Sequence, residues 1–375
     1  MTHRERLNAA LNHEDTDRVP MDLGSTRVTS ITVPAYEMLK KHFGIEEENI
    51  ITDRMQQTVR VNEKILTALD IDTRLVIINR PDVSTDTTLP DGSWQDEWSV
   101  VRRKPPGSHY YDLLKSPLAG EPTSKDLEEY PWPDPDDAGR YRGLREYARR
   151  LREETDYAVV GHMSGGWIHT SQYLRGFEGW YVDLIERPAF IGELMERVMN
   201  INLRMAGRFL DEVGDYLDVV ATGDDIGAQN GPMVSPKLYK DIIWPLQKRQ
   251  FSFVRERTKA KIFYHTCGSV YRLLPDIIDL GIDILNPVQV SAAEMGDTKR
   301  LKSEFGKHLS FWGGVDTFRV MPKGTPDEVR AEAGRRIREL GEGGGYVLNT
   351  VHNIQPDVPV ENILALYEFG RKFRL

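Results

Sequence analysis

Cys267, the one cysteine among 375 residues, stands two positions after a histidine in Lys261-Ile262-Phe263-Tyr264-His265-Thr266-Cys267-Gly268. The residues before the histidine have β-strand character, and in a strand residues i and i+2 point to the same side. Imidazole and thiolate therefore face one pocket, which is half the donor set of a zinc site. His352, just beyond the last apolar run, is the third candidate donor. Three protein donors with one position left open make a catalytic zinc centre, whereas structural zinc is usually closed by four. Each residue also has a plainer reading: Cys267 as an inert buried cysteine, His352 as a core histidine held by hydrogen bonds.

Other polar groups stand near these donors in the chain. Asp225, in Gly223-Asp224-Asp225-Ile226-Gly227-Ala228-Gln229-Asn230, and Asp316, in Gly314-Val315-Asp316-Thr317, could position a substrate or carry a proton. Capping a helix or a turn is the alternative for either. Gln229 and Gln289 are candidates for substrate contact, although loop glutamines commonly bond backbone. Arg27 could receive an anionic substrate. Tyr173 belongs to an aromatic stripe with Trp167, Phe177, Trp180 and Tyr181, which either lines a pocket or packs in the core. His162 and His169 read as pocket-wall or packing residues, not ligands.

Holding such groups together takes a frame, and short apolar runs supply one. They lie at Val19–Leu23, Arg74–Asn79, Tyr157–His162, Leu217–Thr222, Lys261–His265, Asp283–Asn286, Leu309–Gly313 and Tyr346–Thr350. Between them lie amphipathic helical stretches such as Pro188–Val213, Pro236–Thr258, Val270–Leu280 and Pro326–Leu340. Ser235-Pro236 and Thr325-Pro326 carry the cap-then-proline signature of a helix start. Strand–helix alternation implies parallel strands, and eight of them close into a (β/α)8 TIM barrel. Active sites of such barrels lie at the C-terminal strand ends, where His265, Cys267, Asp225, Gln289, Asp316 and His352 fall. Residues 1–17 read as a leading helix and turn. Residues 82–137 read as an insertion, with a β-hairpin around the Asp91-Gly92 turn and a proline-rich loop from Ser124 to Asp137. The chain, 1–375, reads as one barrel domain carrying that insertion.

Bulk properties exclude several function classes. A net charge of −9 lacks the basic footprint of a nucleic-acid partner. No apolar run approaches the roughly 18 residues of a membrane span, and the first residues have no signal-peptide core. A single cysteine forms no internal disulfide and fits a reducing compartment. The expectation is a cytoplasmic enzyme acting on a small-molecule substrate. Aromatics in the insertion, Trp94, Trp98, Tyr110 and Tyr111, read as exposed and suggest a homodimer surface.

The segments Asp224–Pro236, His265–Gly268, Asn286–Gln289, Gly313–Thr317 and Val351–Ile363, with Arg4–Leu11 and Asp17–Asp22, resemble the uroporphyrinogen decarboxylase superfamily. The resemblance runs through nearly the whole chain and implies a (β/α)8 barrel. It also implies one of two activities: decarboxylation of porphyrinogen acetate groups without a cofactor, or zinc-dependent methyl transfer with corrinoid proteins. The arginine-rich motif of the decarboxylases is absent near the N-terminus, where this chain reads Asp22-Leu23-Gly24-Ser25-Thr26-Arg27-Val28. A polycarboxylate would find only Arg27 there. His265-x-Cys267 matches the zinc motif of the methyltransferases. His352 is a departure, because relatives that methylate coenzyme M have a second cysteine in its place, while decarboxylases have a histidine in that region. The implied function is methyl transfer between a small methoxy, methylamine or thiol compound and the corrinoid of a partner protein. No Asp-x-His-x-x-Gly corrinoid motif occurs here, so methylcobalamin would arrive on that separate protein. A uroporphyrinogen decarboxylase-like carboxy-lyase is the alternative.

Overall fold

Seven parallel strands form one curled sheet in the order Thr73–Ile77, Ala158–His162, Val219–Gly223, Lys261–His265, Ile284–Asn286, Ser310–Trp312, Tyr346–Val347. The computed structural model describes residues 1–83, 85–163 and 166–374. Spatial order follows chain order, as in a singly wound barrel. The run Val19–Leu23 closes the ring, but only through the parallel bridge Met21–Leu348. On its other side the Asp72 N–H donates to Met21 O at 3.0 Å. Pro20 accounts for the reduction from strand to bridge. It has no N–H, and only its carbonyl is used, by the Leu348 N–H at 2.8 Å. The architecture is a (β/α)8 barrel.

Alternation along the strands decides what fills the lumen. Ala158, Val160, Val219, Ala221, Phe263, Ile284, Trp312 and Val347 form a buried cluster with Leu7 and Leu11 of the N-terminal helix His3–Leu11. Their neighbours Val159, Val220, Ile262, Tyr264 and Leu285 belong to the larger cluster beneath the helices. Carried on by the same period, His162, Gly223, His265 and Asn286 come inward at the C-terminal end.

The N-terminal helix plugs the opposite end of the barrel through a buried charge cluster. Asp72 is fully buried and accepts from Arg6 Nη1 at 2.6 Å, Arg18 Nη1 at 2.7 Å and the Met21 N–H at 2.7 Å. His3 Nδ1 lies 2.8 Å away. Burial alone would raise the Asp72 pKa, but His3, Arg18 and Arg6 together hold it below its ordinary value. A carboxylate depressed in this way stabilises the fold above the unfolded pKa of about 3.9, and that contribution is lost as pH falls through the folded value. Asp72→Ala should cost about 3–5 kcal/mol, because two guanidiniums lose their buried counter-charge. Thermal melts at neutral pH check this, and a variant that melts with the wild type would contradict it.

The insertion is more than a hairpin. Thr87–Thr88, Trp94–Gln95, Val101–Arg103 and Asp112–Lys115 make a four-stranded antiparallel meander, and the helix Ser124–Glu128 occupies part of the stretch read as loop. Strands this short carry too little alternation to be read from sequence. The meander lies over the mouth of the barrel. Gln355 Nε2 donates to Tyr110 Oη at 2.6 Å, and the Tyr111 N–H donates to Met55 O at 2.9 Å. The Arg54 guanidinium rests 4.7 Å from the Trp94 ring. Trp94 is buried and Trp98, Tyr110 and Tyr111 are half-buried, so these aromatics are less exposed than the sequence suggests.

The stretch Pro236–Thr258 is also not one regular helix. A π-helical turn, Tyr239–Ile243, separates Pro236–Leu238 from Trp244–Arg255. Pro245, which has no N–H for the preceding turn, is the physical reason. No helix among the described residues is long and apolar enough to cross a membrane.

Candidate metal centre

His265 ends its strand in register with Gly223 on one side and Asn286 on the other. A Cβ at Gly223 would lie 2.6 Å from that of His265, so only glycine lets the two strands meet there. Asn286 fixes the imidazole. Its Nδ2 donates to Trp312 O at 2.9 Å, so its Oδ1 faces His265 Nδ1, at 2.6 Å, and must accept. That bond places the proton on Nδ1 and leaves the Nε2 lone pair directed into the mouth, as a metal-binding histidine requires.

Cys267 follows on a loop held from two sides. Its N–H donates to Asp225 Oδ1 at 2.6 Å, and the next N–H, of Gly268, donates to Gln289 Oε1 at 2.7 Å. Gly268 has φ +85°, and a Cβ there would sit 2.4 Å from the Gly227 carbonyl carbon. The loop of Cys267 thus rests directly on the loop that carries Asp225. Cys267 Sγ lies 3.4 Å from His265 Nε2. His352 arrives from beyond the last strand, with its ring centroid 5.3 Å from that of His265. One donor atom from each of His265, Cys267 and His352 lies within 4.8 Å of the others. Zinc bonds of about 2.0–2.3 Å set donor separations of roughly 3.3–3.8 Å. The sulfur–Nε2 pair already meets that spacing, and a His352 donor atom lies within 4.8 Å of both.

The electrostatics of this donor set suit a cation. Burial, with the nearby His265, pushes the His352 pKa down to about 3. Burial lowers that of His265 too, against the opposing pull of Asp225 and Asn286. Both rings are therefore neutral at pH 7, with lone pairs available. Burial pushes the Cys267 thiol well above its ordinary value, and the Asp225 charge adds to this. A divalent cation is the charge that would stabilise the thiolate in such a place.

Asp225 and Asp224 divide their work. Asp224 accepts the Ile168 and His169 N–H groups at 3.1 and 2.9 Å, capping the helix Trp167–Arg175 from another strand end. Asp225 faces the donors, with Oδ1 3.9 Å from His265 Nε2 and Oδ2 3.6 Å from His169 Nε2. Burial would raise its pKa, but His169, His265 and the Cys267 N–H outweigh it and hold Asp225 ionised. His169 responds in kind: burial pulls its pKa down, and Asp224 and Asp225 more than reverse that.

The remaining sequence candidates have separate fates. Gln289 braces the cysteine loop through Gly268, and Gln229, exposed on the rim, donates to Ser291 O, so each makes a bond to backbone. Asp316 Oδ1 caps its own turn, accepting from the Phe318 and Arg319 N–H groups at 2.6 and 2.8 Å. Among the described residues it makes no hydrogen bond or ion pair with His265, Cys267 or His352. Arg27 does reach the mouth, with Nη1 4.0 Å from Asp53 Oδ2 and its charge felt by buried His162. Tyr173 is half-buried beside His169, at 5.9 Å between ring centroids, while Trp167 and Trp180 of the same stripe are core. Sequence reasoning missed the part of Asn286, although its place at the end of the strand beside His265 was a usable signal. It also undervalued His169, whose carboxylate partners come from a different strand end.

The model of the family described as uroporphyrinogen decarboxylase matches residues 113–373. The chain belongs to the uroporphyrinogen decarboxylase family. A uroporphyrinogen decarboxylase of Psychromonas ingrahamii is 22% identical over 96% of this chain and 94% of its own length. That of Pseudoalteromonas translucida is 24% identical over 70% and 74%. Among solved structures, a methyltransferase from Methanosarcina mazei superposes with a TM-score of 0.68 and 20% identity, covering 100% of this chain and 99% of the other. At that identity the likeness speaks for a shared barrel. Membership in the uroporphyrinogen decarboxylase family makes the chain an enzyme and leaves the reaction to the residues of its mouth.

Proposed function

We propose that this chain is a zinc-dependent methyltransferase that moves a methyl group between a small substrate and the corrinoid of a separate protein. The observation that carries the reading is the meeting of His265, Cys267 and His352 within 4.8 Å, with the His265 tautomer set by Asn286. His265, Cys267 and His352 would hold the ion, and the fourth position would be left for substrate. Zinc there, with two neutral imidazoles and one thiolate for a net charge of about +1, would act as a Lewis acid on a substrate oxygen or nitrogen. This favours methoxy and methylamine compounds over thiols.

The chain's own groups supply the rest. Asp225 holds the cysteine loop through Oδ1 and meets His169 through Oδ2. That carboxylate–imidazole pair can take or return the proton of the demethylated heteroatom, at His169 Nε2. Tyr173 and the overlying meander, through Tyr110, narrow the mouth and limit water around the reacting group.

The test is methyl transfer to a reduced corrinoid protein, followed by the corrinoid's visible spectrum, with methoxylated aromatics and methylamines as donors. Zinc-loaded enzyme should methylate the corrinoid, and chelation should stop it. The name of the relatives favours the competing reading, a carboxy-lyase. Decarboxylation of an acid that persists after complete metal removal would establish that reading and end this one.

A further inference from the structure

Arg102 enters the mouth from the inserted meander and not from the barrel. It is the one buried residue of its strand, with Val101 half-buried and Arg103 exposed, and 5% of its surface remains accessible. A guanidinium carries five donors, and burying it is costly unless they are used. Arg102 Nε donates to Asp96 Oδ2 at 3.2 Å, and the planar group lies 4.0 Å from the Tyr173 ring centroid. Among the described residues Arg102 makes no ion pair other than this one with Asp96. Asp96 meets Arg102 through one oxygen, Oδ2. Its Oδ1 already accepts the Trp98 and Val100 N–H groups, at 3.0 Å each.

The direction of this charge matters. Arg102 is felt electrostatically by Tyr173 and by His169. His169 Nε2 is 3.6 Å from Asp225, which is 3.9 Å from His265 Nε2. Tyr173 and the His169–Asp225 pair therefore link the Arg102 guanidinium to His265. Arg27 stands in the same mouth with its Nε buried and without an acceptor. Asp53, 4.0 Å from Arg27, is a loose partner for that guanidinium. Arg102 against the Tyr173 ring, with the loosely partnered Arg27 in the same mouth, describes a subsite for a flat anion.

We propose that the substrate is a small aromatic carboxylate and that Arg102, brought by the insertion, binds its carboxylate through Nη1 and Nη2. Tyr173 forms the wall along the ring, and the far end of the substrate points to the His265–Cys267–His352 donors. This rests on reading the mouth as the active site, and it is independent of which group is transferred there.

Calorimetric titration of the full chain with 3-methoxybenzoate and with its uncharged amide tests the proposal. The wild type should prefer the anion by about ten- to a hundredfold, the range of one charge-assisted hydrogen-bonded pair. Arg102→Gln should erase that preference while amide affinity stays as it was, and Arg102→Lys should restore part of it. If Arg102 only anchors the meander, both probes weaken together in Arg102→Gln and their ratio survives, which overturns the proposal. A wild type that binds neither probe, or both equally, overturns it too. An anion preference lost in Arg102→Gln, in a protein that transfers no methyl group, would sink the methyltransferase reading and leave this subsite standing.

Discussion

Cys267→Ala is expected to take the zinc content of the purified protein from about one ion per chain to near zero. The thiolate is the single anionic donor, because His265 and His352 are both neutral. If zinc held by this set contributes on the order of 10–16 kcal/mol, one donor in three accounts for about 3–5, or roughly three orders of magnitude in affinity. Competition against a chromophoric chelator measures that loss directly. His352→Ala should behave similarly, and full zinc retention there would remove His352 from the donor set. Retention in Cys267→Ala would end the metal reading altogether.

The same donors fix a pH dependence. A His352 pKa near 3 and a lowered His265 pKa mean that protons do not compete for either ring near neutrality. The Cys267 thiol, raised well above its ordinary value, must lose its proton when the ion arrives. Zinc binding should therefore release about one proton, and affinity should climb about tenfold per pH unit through neutrality. Calorimetry in two buffers of different ionisation enthalpy counts that proton; none or two would contradict the assignment.

Asn286→Ala should weaken zinc binding by about ten- to a hundredfold although Asn286 touches no metal. Asn286 is fully buried and joins His265 Nδ1 to Trp312 O, so its removal frees the imidazole to turn and to change tautomer. It also leaves two buried polar groups unpaired, at a stability cost of about 1–3 kcal/mol. Asn286→Asp supplies the control: a carboxylate still accepts from Nδ1, so zinc affinity should stay near that of the wild type. Equal weakening in both variants would mean that residue 286 acts through the fold and not through the tautomer of His265.

The contrast between Asn286 and Gln289 shows where sequence reading ends. Both follow the His265 strand closely in space, yet one orients a donor and the other braces a backbone N–H. Asp225 and Asp316 part in the same way. Each is an aspartate just past a strand end, but Asp225 turns to the donors while Asp316 turns back on its own loop. The direction of a loop carboxylate depends on a few backbone dihedrals that no periodicity encodes. Strands of two to four residues leave almost no alternating pattern, so the sequence shows a hairpin where the structure has a meander.

The sequence by itself determined the barrel and the pairing of His265 with Cys267, since both rest on local periods: two residues per strand repeat, and alternation of strands with helices. The sequence offers His352 as a candidate, but only the tertiary structure brings it within 4.8 Å of them, pairs Asp225 with His169, and brings Arg102 in from an insertion. Those meetings are made by closure of the ring through Met21 and by the meander lying across its mouth. Contacts between residues far apart in the chain follow from how the elements pack, and the local sequence around each partner carries no record of the other.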